Sequence, residues 1–341
     1  MDIERIGLED WRDALPANGF EVFHDPDALS VLDDYTDAEL HCYAAYKGDQ
    51  VVGMVPLFVS DRSIGRTVFS PPVSQGVPRL GPIINPHSPK QRKWERINSG
   101  LANGVIDALG LGDRTTLFRM TCPLGYADPR PYGWNDLAVE PEFTYVVDLE
   151  GCTDIEDAMA GFSKSLRNEM RRLDDVDLAI ETEGIDSALR VYDDVVDQFE
   201  EHGDTAPMSR AFLRDLLSSL DVDRWRVYVA RSPDGEYQSG IITLFSNDLA
   251  YYWQGGVVAS YESVSVNNLL HRAILEDLVT DPQFDSIEGY DLVGANTERL
   301  CEYKGKFNGE LRPYYVVESS GLEMRVAKST YQRLSGSFGK G

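Results

Sequence analysis

Asp291 and Lys304 are the two residues of this chain best placed by sequence to do acid–base or electrostatic chemistry. The run Ser286 to Leu292 reads as a buried strand, and it ends in Asp291-Leu292-Val293-Gly294. A short polar segment with Asn296 then leads to Lys304-Gly305-Lys306-Phe307-Asn308-Gly309, a turn. A charge inside a protein is costly unless it is paired or used. The carboxyl end of a strand, beside a loop, is where open α/β sheets place their ligands. The competing reading is an Asp that caps a helix at Thr297, with a solvated lysine.

A second cationic feature precedes it. Lys164, Arg167 (or Asn168) and Arg171 recur at helical spacing and share one face, while Leu166, Met170 and Leu173 make the apolar face. In a chain of net charge -25 such a face attracts phosphate or carboxylate, and Arg offers planar bidentate donors. The competing reading is a solvated face paired with Glu169 and Asp174. His271, beside Leu270 and Ile274, reads as a packed, hydrogen-bonded histidine rather than a base.

Composition narrows the class. The 341 residues carry 57 Asp+Glu against 32 Lys+Arg, and only eight of the bases are lysines. An acidic, lysine-poor sequence of otherwise ordinary globular content suggests adaptation to high salt. That charge disfavours nucleic acid and anionic membranes. Cys42, Cys122, Cys152 and Cys301 form no CxxC pair, and the histidines have no metal spacing, so a reducing compartment and no metal are expected. The charged N-terminus has no signal-peptide core, and the longest apolar run, Val51 to Val59, is half a membrane span. A cytoplasmic protein is expected. There is no GxxxxGK[ST], GxGxxG or GxSxG pattern.

The elements that must position these residues follow from periodicity. The first half reads as a short helix from Pro26, a hairpin (His41–Tyr46 and Val51–Val59), long Gly/Pro loops over 60–89, a helix over 90–109, and strands Thr115–Cys122 and Phe143–Leu149. After Gly151 the pattern restarts. It runs helix Asp154–Leu173, strand Leu178–Thr182, helices Ile185–Glu201 and Ser209–Leu220, then hairpin Trp225–Arg231 and Ser239–Phe245. Strand Ala250–Gly256, helix Asn267–Thr280, strand Ser286–Leu292, strand Glu310–Val317 and a helical tail from Gly321 complete it. The two hairpins repeat each other: Ala44 to Phe58 and Val229 to Phe245 are both strand, turn, then Gly and an apolar run ending Leu-Phe. This predicts a tandem of two similar α/β domains, 1–150 and 151–341.

The element order of the second half resembles the GNAT acyltransferase superfamily. The tandem resembles its FemAB-like and BioF2-like members. The resemblance rests on Thr144 to Leu149 running into Phe162 to Arg172, on Tyr251-Tyr252-Trp253-Gln254-Gly255-Gly256 with the helix around Asn268, and on Tyr290 to Gly294 followed by Tyr303 to Gly309. It implies an α/β (α+β) fold of two GNAT-like domains, each a mixed, mostly antiparallel twisted sheet flanked by helices, with the main cleft in the second. It implies acyl transfer to an amine. Asp291 would bind or deprotonate the acceptor amine, and Lys304, in the family's Lys-x-x-Phe position, would stabilise an oxyanion or a phosphate. Tyr252 and Gln254 would orient the substrates, with Asn296 beside them. Lys164, Arg167 and Arg171 would hold an anionic small-molecule, glycoconjugate or peptide acceptor. Gly255, Gly256, Asn267 and Asn268 would border an acyl-CoA (acetyl-CoA) site. The loop Val257 to Val266 departs from the pattern: it has no Gly-x-Gly and carries Glu262. The donor therefore stays open between acyl-CoA and aminoacyl-tRNA, and a non-catalytic binding protein on the same scaffold is the rival.

Overall fold

Residues 52–59 are apolar because both faces of their strand are covered; all eight are buried. The computed structural model describes residues 1–63, 65–201, 203–257 and 259–320. The helix expected from Gly321 lies outside the described residues. Strand β1 (Asp2–Ile6) and helix α1 (Leu8–Ala14) open the chain, ahead of the first expected element. Helix α2 (Pro26–Asp34) starts on Asp25, whose carboxylate accepts from the Asp27 amide at 2.9 Å. Strands β2 (Glu39–Lys47) and β3 (Gln50–Asp61) form the first hairpin. Then come β4 (Arg66–Ser70), β5 (Ile83–Ile84), α3 (Gln91–Leu109), β6 (Thr116–Thr121), α4 (Arg130–Gly133) and β7 (Ala138–Asp148).

The single helix expected over Asp154–Leu173 is two, α5 (Ile155–Met159) and α6 (Lys164–Met170), followed by a 3-10 turn over Arg171–Asp175. The break has one local cause and one distant in sequence. The Ser163 hydroxyl caps α6 by accepting from the Leu166 amide at 3.3 Å. The Ser163 amide donates to the Lys306 carbonyl at 2.8 Å, away from any preceding turn. The rest of the chain is β8 (Ala179–Glu183), α7 (Ile185–Glu201), α8 (Arg210–Ser219), β9 (Trp225–Arg231), β10 (Tyr237–Phe245), β11 (Leu249–Gly255), the two-residue strands β12 (Ser260–Tyr261) and β13 (Val264–Ser265), α9 (Val266–Thr280), β14 (Gly289–Asp291), α10 (Glu298–Lys304) and β15 (Glu310–Glu318).

Among the described residues, 1–142 with 313–320 form one compact unit and 143–312 the other. The division falls at Glu142/Phe143, and the strand from Pro313 belongs to the first unit. In the first unit β1, β2, β3 and β4 run antiparallel in order; β6 pairs parallel to β4, and Val316–Glu318 of β15 pair antiparallel to β6. In the second unit β8, β9, β10 and β11 run antiparallel in order; β14 pairs parallel to β11, and Val146–Asp148 of β7 pair antiparallel to β14. Each parallel step needs a crossover, supplied by α3 in one unit and α9 in the other. The hairpin repeat seen in the sequence is thus β2–β3 and β9–β10, at equivalent places in two sets of strands with the same pairing order. Each unit has its own core: Val55, Leu57, Leu101, Val105 and Phe118 in the first, and Met170, Ile241, Leu270, Ile274 and Tyr290 in the second. No helix among the described residues is long and apolar enough to cross a membrane.

Candidate active site

Strand β14 is three residues long, shorter than the expected Ser286–Leu292, and all three are buried. Asp291 ends it with no exposed surface. The chain then makes a left-handed turn at Val293 (φ 50) and Gly294 (φ 85). A β-branched residue is rarely left-handed, and such strain persists only where the surroundings hold it. Here three side chains do so. Asp291 Oδ1 accepts the Val293 amide at 2.8 Å and the Thr144 hydroxyl at 2.5 Å. Thr144 Oγ1 in turn accepts the Gly294 amide at 3.0 Å. The Lys304 ammonium donates to the Val293 and Gly294 carbonyls at 2.7 and 3.0 Å.

Lys304 is the last residue of α10. A helix does begin after Thr297, but Thr297 caps it itself, its hydroxyl accepting from Leu300 at 3.4 Å. The competing sequence reading is therefore half right: the helix exists, Asp291 is not its cap, and Lys304 is only 5% exposed rather than solvated. Burial pulls the Lys304 pKa down to about 8, against the opposing charge of nearby Asp291. An ammonium has three N–H donors. Two are spent on the turn carbonyls, and the third has no partner among the described residues.

Tyr252 completes the group. Lys304 Nζ lies 5.8 Å from its ring centroid. A bulge places Trp253 between Gln254, opposite Ile242, and Tyr252, opposite Thr243. Burial raises the Tyr252 hydroxyl to about 12, so it stays protonated. Its ring meets His271 edge-on at 4.6 Å. His271 is packed as expected: it is fully buried, its Nδ1 is 2.9 Å from the Tyr290 hydroxyl, and burial with the Lys304 charge lowers it to about 3. It is neutral near pH 7.

The other expected site residues separate. Asn296 is exposed and accepts the Phe143 amide at 2.8 Å, pinning the exit of the turn to β7. Gln254 is half-buried on β11. Lys164 is exposed at the start of α6 and has no ion-pair or hydrogen-bond partner among the described residues. Arg167 donates to the Ala160 carbonyl at 2.9 Å, and Arg171 forms an ion pair with Glu156, so both are directed at α5. Glu169 and Asp174 do not pair with them: Asp174 meets Arg272 at 3.1 Å, and Glu169 serves α9. The structure thus brings Asp291, Lys304 and Tyr252 together and leaves one cation of the basic face unengaged.

The loop after β11 offers little to a pyrophosphate. Gly255 lies against the Tyr252 hydroxyl, where a Cβ would stand 2.3 Å from it. The Gly256 amide donates to the Gly240 carbonyl at 2.8 Å, and the Val257 amide to the Asp194 carboxylate at 3.3 Å. Ser260 to Ser265 fold into a small hairpin turning at Glu262 and Ser263, whose carbonyls take the Arg172 guanidinium at 3.1 and 3.5 Å. At the start of α9 the Ser265 amide donates to Glu169 at 2.8 Å. Asn267 accepts the Ser239 hydroxyl at 3.0 Å, and Asn268 joins Glu169 to the Tyr303 hydroxyl at 2.8 and 3.0 Å. Two amides of this connection, Val257 and Ser265, thus face carboxylates at places where a phosphate would seek donors. No group of three or more His, Cys, Asp or Glu among the described residues could hold a metal.

Thr144, Glu169, Asp194 and Tyr303 are the participants that sequence spacing missed. Asp194 did leave a signal: it falls three residues after Val191, on the apolar stripe of α7.

Residues 160–305 match a family model described as an acetyltransferase (GNAT) domain, and the match ends one residue past Lys304. No curated protein matches the sequence. Among solved structures, FemX is similar over 98% of this chain and 100% of its own, at 10% identity and a TM-score of 0.67. The C-terminal domain of a putative lysylphosphatidylglycerol synthetase from Agrobacterium fabrum is similar over 96% and 97%, at 14% and 0.55. A tandem GNAT protein from the clavulanic acid biosynthesis pathway is similar over 94% and 99%, at 12% and 0.50. At such identities the likeness is one of fold. The fold is the mixed, mostly antiparallel one of tandem GNAT-like domains, and the matched family supports an acyltransferase.

Proposed function

We propose that this protein transfers an acyl group to an amine, with Lys304 as the electrophilic catalyst. The observation that carries the reading is the buried Lys304 ammonium, fixed by two turn carbonyls with a third N–H left over. A fixed cationic donor in a desolvated site stabilises the oxyanion of a tetrahedral intermediate more than the ground-state carbonyl. The Tyr252 ring lies 5.8 Å from the Lys304 ammonium, and its protonated hydroxyl would orient a substrate, with Gln254 near it on β11. Asp291, with no exposed surface, acts through Lys304: its carboxylate holds the turn and keeps the ammonium charged. The amine attacks as its free base, by its own equilibrium; when the tetrahedral intermediate collapses the bond to the donor's alcohol or thiol breaks, and the remaining ammonium proton passes through solvent to that leaving group.

The acceptor we infer is a small molecule, peptide or envelope glycoconjugate with an anionic group, which Lys164 is free to meet. FemX and the lysylphosphatidylglycerol synthetase share the fold, and the second, by its name, handles a lysyl group. An aminoacyl ester is accordingly the donor class favoured over acyl-CoA; the surface charge of -25 makes tRNA an unusual carrier for it. We read that charge as adaptation to concentrated salt, and the site of action as the cytoplasm.

The test is amide formation followed by mass spectrometry, with aminoacyl esters and acyl thioesters offered to a panel of amine acceptors. Product is expected with the wild type and at least about 100-fold less with Lys304→Met, the loss typical of removing an oxyanion donor. Full activity in Lys304→Met sinks the assignment. Stabilisation by an acceptor without any amide product would instead favour the binding-protein reading.

A further inference from the structure

A loop and helix N-terminus that present free amides attract phosphate. In the second unit a carboxylate from within the chain already takes an amide at each of the two places. Asp194, only 6% exposed, takes the Val257 amide at 3.3 Å and the Tyr237 hydroxyl at 2.8 Å on Oδ2, and pairs through Oδ1 with Arg190 at 3.1 Å. Glu169 reaches from α6 to α9, taking the Ser265 amide on Oε1 and the Asn268 side chain on Oε2, both at 2.8 Å. These carboxylates come from different helices and meet different ends of the β11–α9 connection. The amides that flank these two ends are also bonded: Gly256 to the Gly240 carbonyl, Val266 to the Ala259 carbonyl, and Asn268 to the Ser265 hydroxyl. The hairpin between them turns its carbonyls, not its amides, toward Arg172.

We propose that Asp194 and Glu169 are specificity-determining residues, fixed internal anions that exclude phosphate-bearing acyl donors from the β11–α9 turn. The inference rests on the acyl-transfer reading of the same unit and narrows its donor. A phosphate entering the turn displaces a carboxylate from an amide and then sits beside it, like charge against like charge. Arg190 and Arg172 offset this little, since Arg190 is half exposed and already paired with Asp194, and Arg172 is held by the hairpin carbonyls. A donor whose activated group carries an ammonium or no charge meets no such conflict. Glu169 also holds Asn268, which accepts the Tyr303 hydroxyl.

Calorimetric titration of the full-length protein with coenzyme A, and with pantetheine as the phosphate-free control, tests this. The wild type is expected to bind coenzyme A no more tightly than the millimolar range. Glu169→Gln and Asp194→Asn each keep shape and remove charge, and each is expected to raise coenzyme A affinity at least tenfold while leaving pantetheine unchanged. One-site micromolar binding of coenzyme A by the wild type overturns the proposal. So does an unchanged affinity in whichever variant keeps the wild-type circular dichroism. The two readings fail separately: wild-type binding of acetyl-CoA refutes exclusion yet leaves acyl transfer intact, whereas unaltered turnover in Lys304→Met refutes the catalytic assignment alone.

Discussion

Desolvation and the Asp291 charge pull Lys304 in opposite directions, and desolvation wins, leaving its pKa at about 8. Two outcomes follow. If the charged form stabilises the oxyanion, transfer falls as pH rises through about 8, which a pH–rate profile reads directly. Asp291→Asn removes the charge that raises Lys304, so the alkaline limb of that profile moves to lower pH; an unmoved limb would show that another group sets it. Stability has its own sign. The folded value of about 8 lies below the ordinary 10.5, so between them the unfolded chain holds a proton that the folded chain has lost. Stability contributed by this residue therefore climbs from pH 8 to 10.5, by about 3.5 kcal/mol at roughly 1.4 kcal/mol per pH unit. Lys304→Met should abolish that climb in pH-dependent urea melts.

At the scale of elements, α10 and the turn after it place Lys304. The Thr297 hydroxyl is the helix's N-cap, so Thr297→Ala should cost about 1 kcal/mol and blunt transfer by loosening the helix that carries the lysine. Gly309 closes the segment. A Cβ there would stand 3.0 Å from the Val146 carbonyl carbon and oxygen, backbone that has no room to yield. Gly309→Ala is expected to destabilise by about 1–3 kcal/mol, seen as a lower urea midpoint. A midpoint equal to the wild type would mean that β7 shifts freely, contrary to its pairing with β14.

For the whole molecule the dominant number is the charge, 57 acids against 32 bases. Self-repulsion on that scale destabilises a folded chain at low ionic strength, and salt screens it; the screening length falls from about 10 Å at 0.1 M to about 3 Å at 1 M. The melting temperature should therefore rise steadily as potassium chloride is raised between those limits. A flat or falling curve would remove the reading of the surface as a high-salt adaptation.

Much of this was visible in the chain alone, for identifiable reasons. Apolar periodicity marked the long helices and the two hairpins, because strands covered on both faces and helices covered on one leave a strong local pattern. Asp291 and Lys304 stood out because ionisable residues bordering an apolar run are conspicuous. The three-residue length of β14, the break at Gly161–Ser163 and the hairpin at Glu262–Ser263 left no such trace, since each is imposed by a partner distant in sequence or by a short-range turn of unusual residues. The same holds for function. Residue types determined that a carboxylate, a lysine and a cationic helix were present. Tertiary structure decided which of them meet: Thr144 bonds Asp291 across 147 residues, Glu156 claims Arg171, and Asp194 and Glu169 occupy amides that a phosphate would need. Hydrogen bonds and burial act between groups near in space, and no local pattern records who those neighbours are.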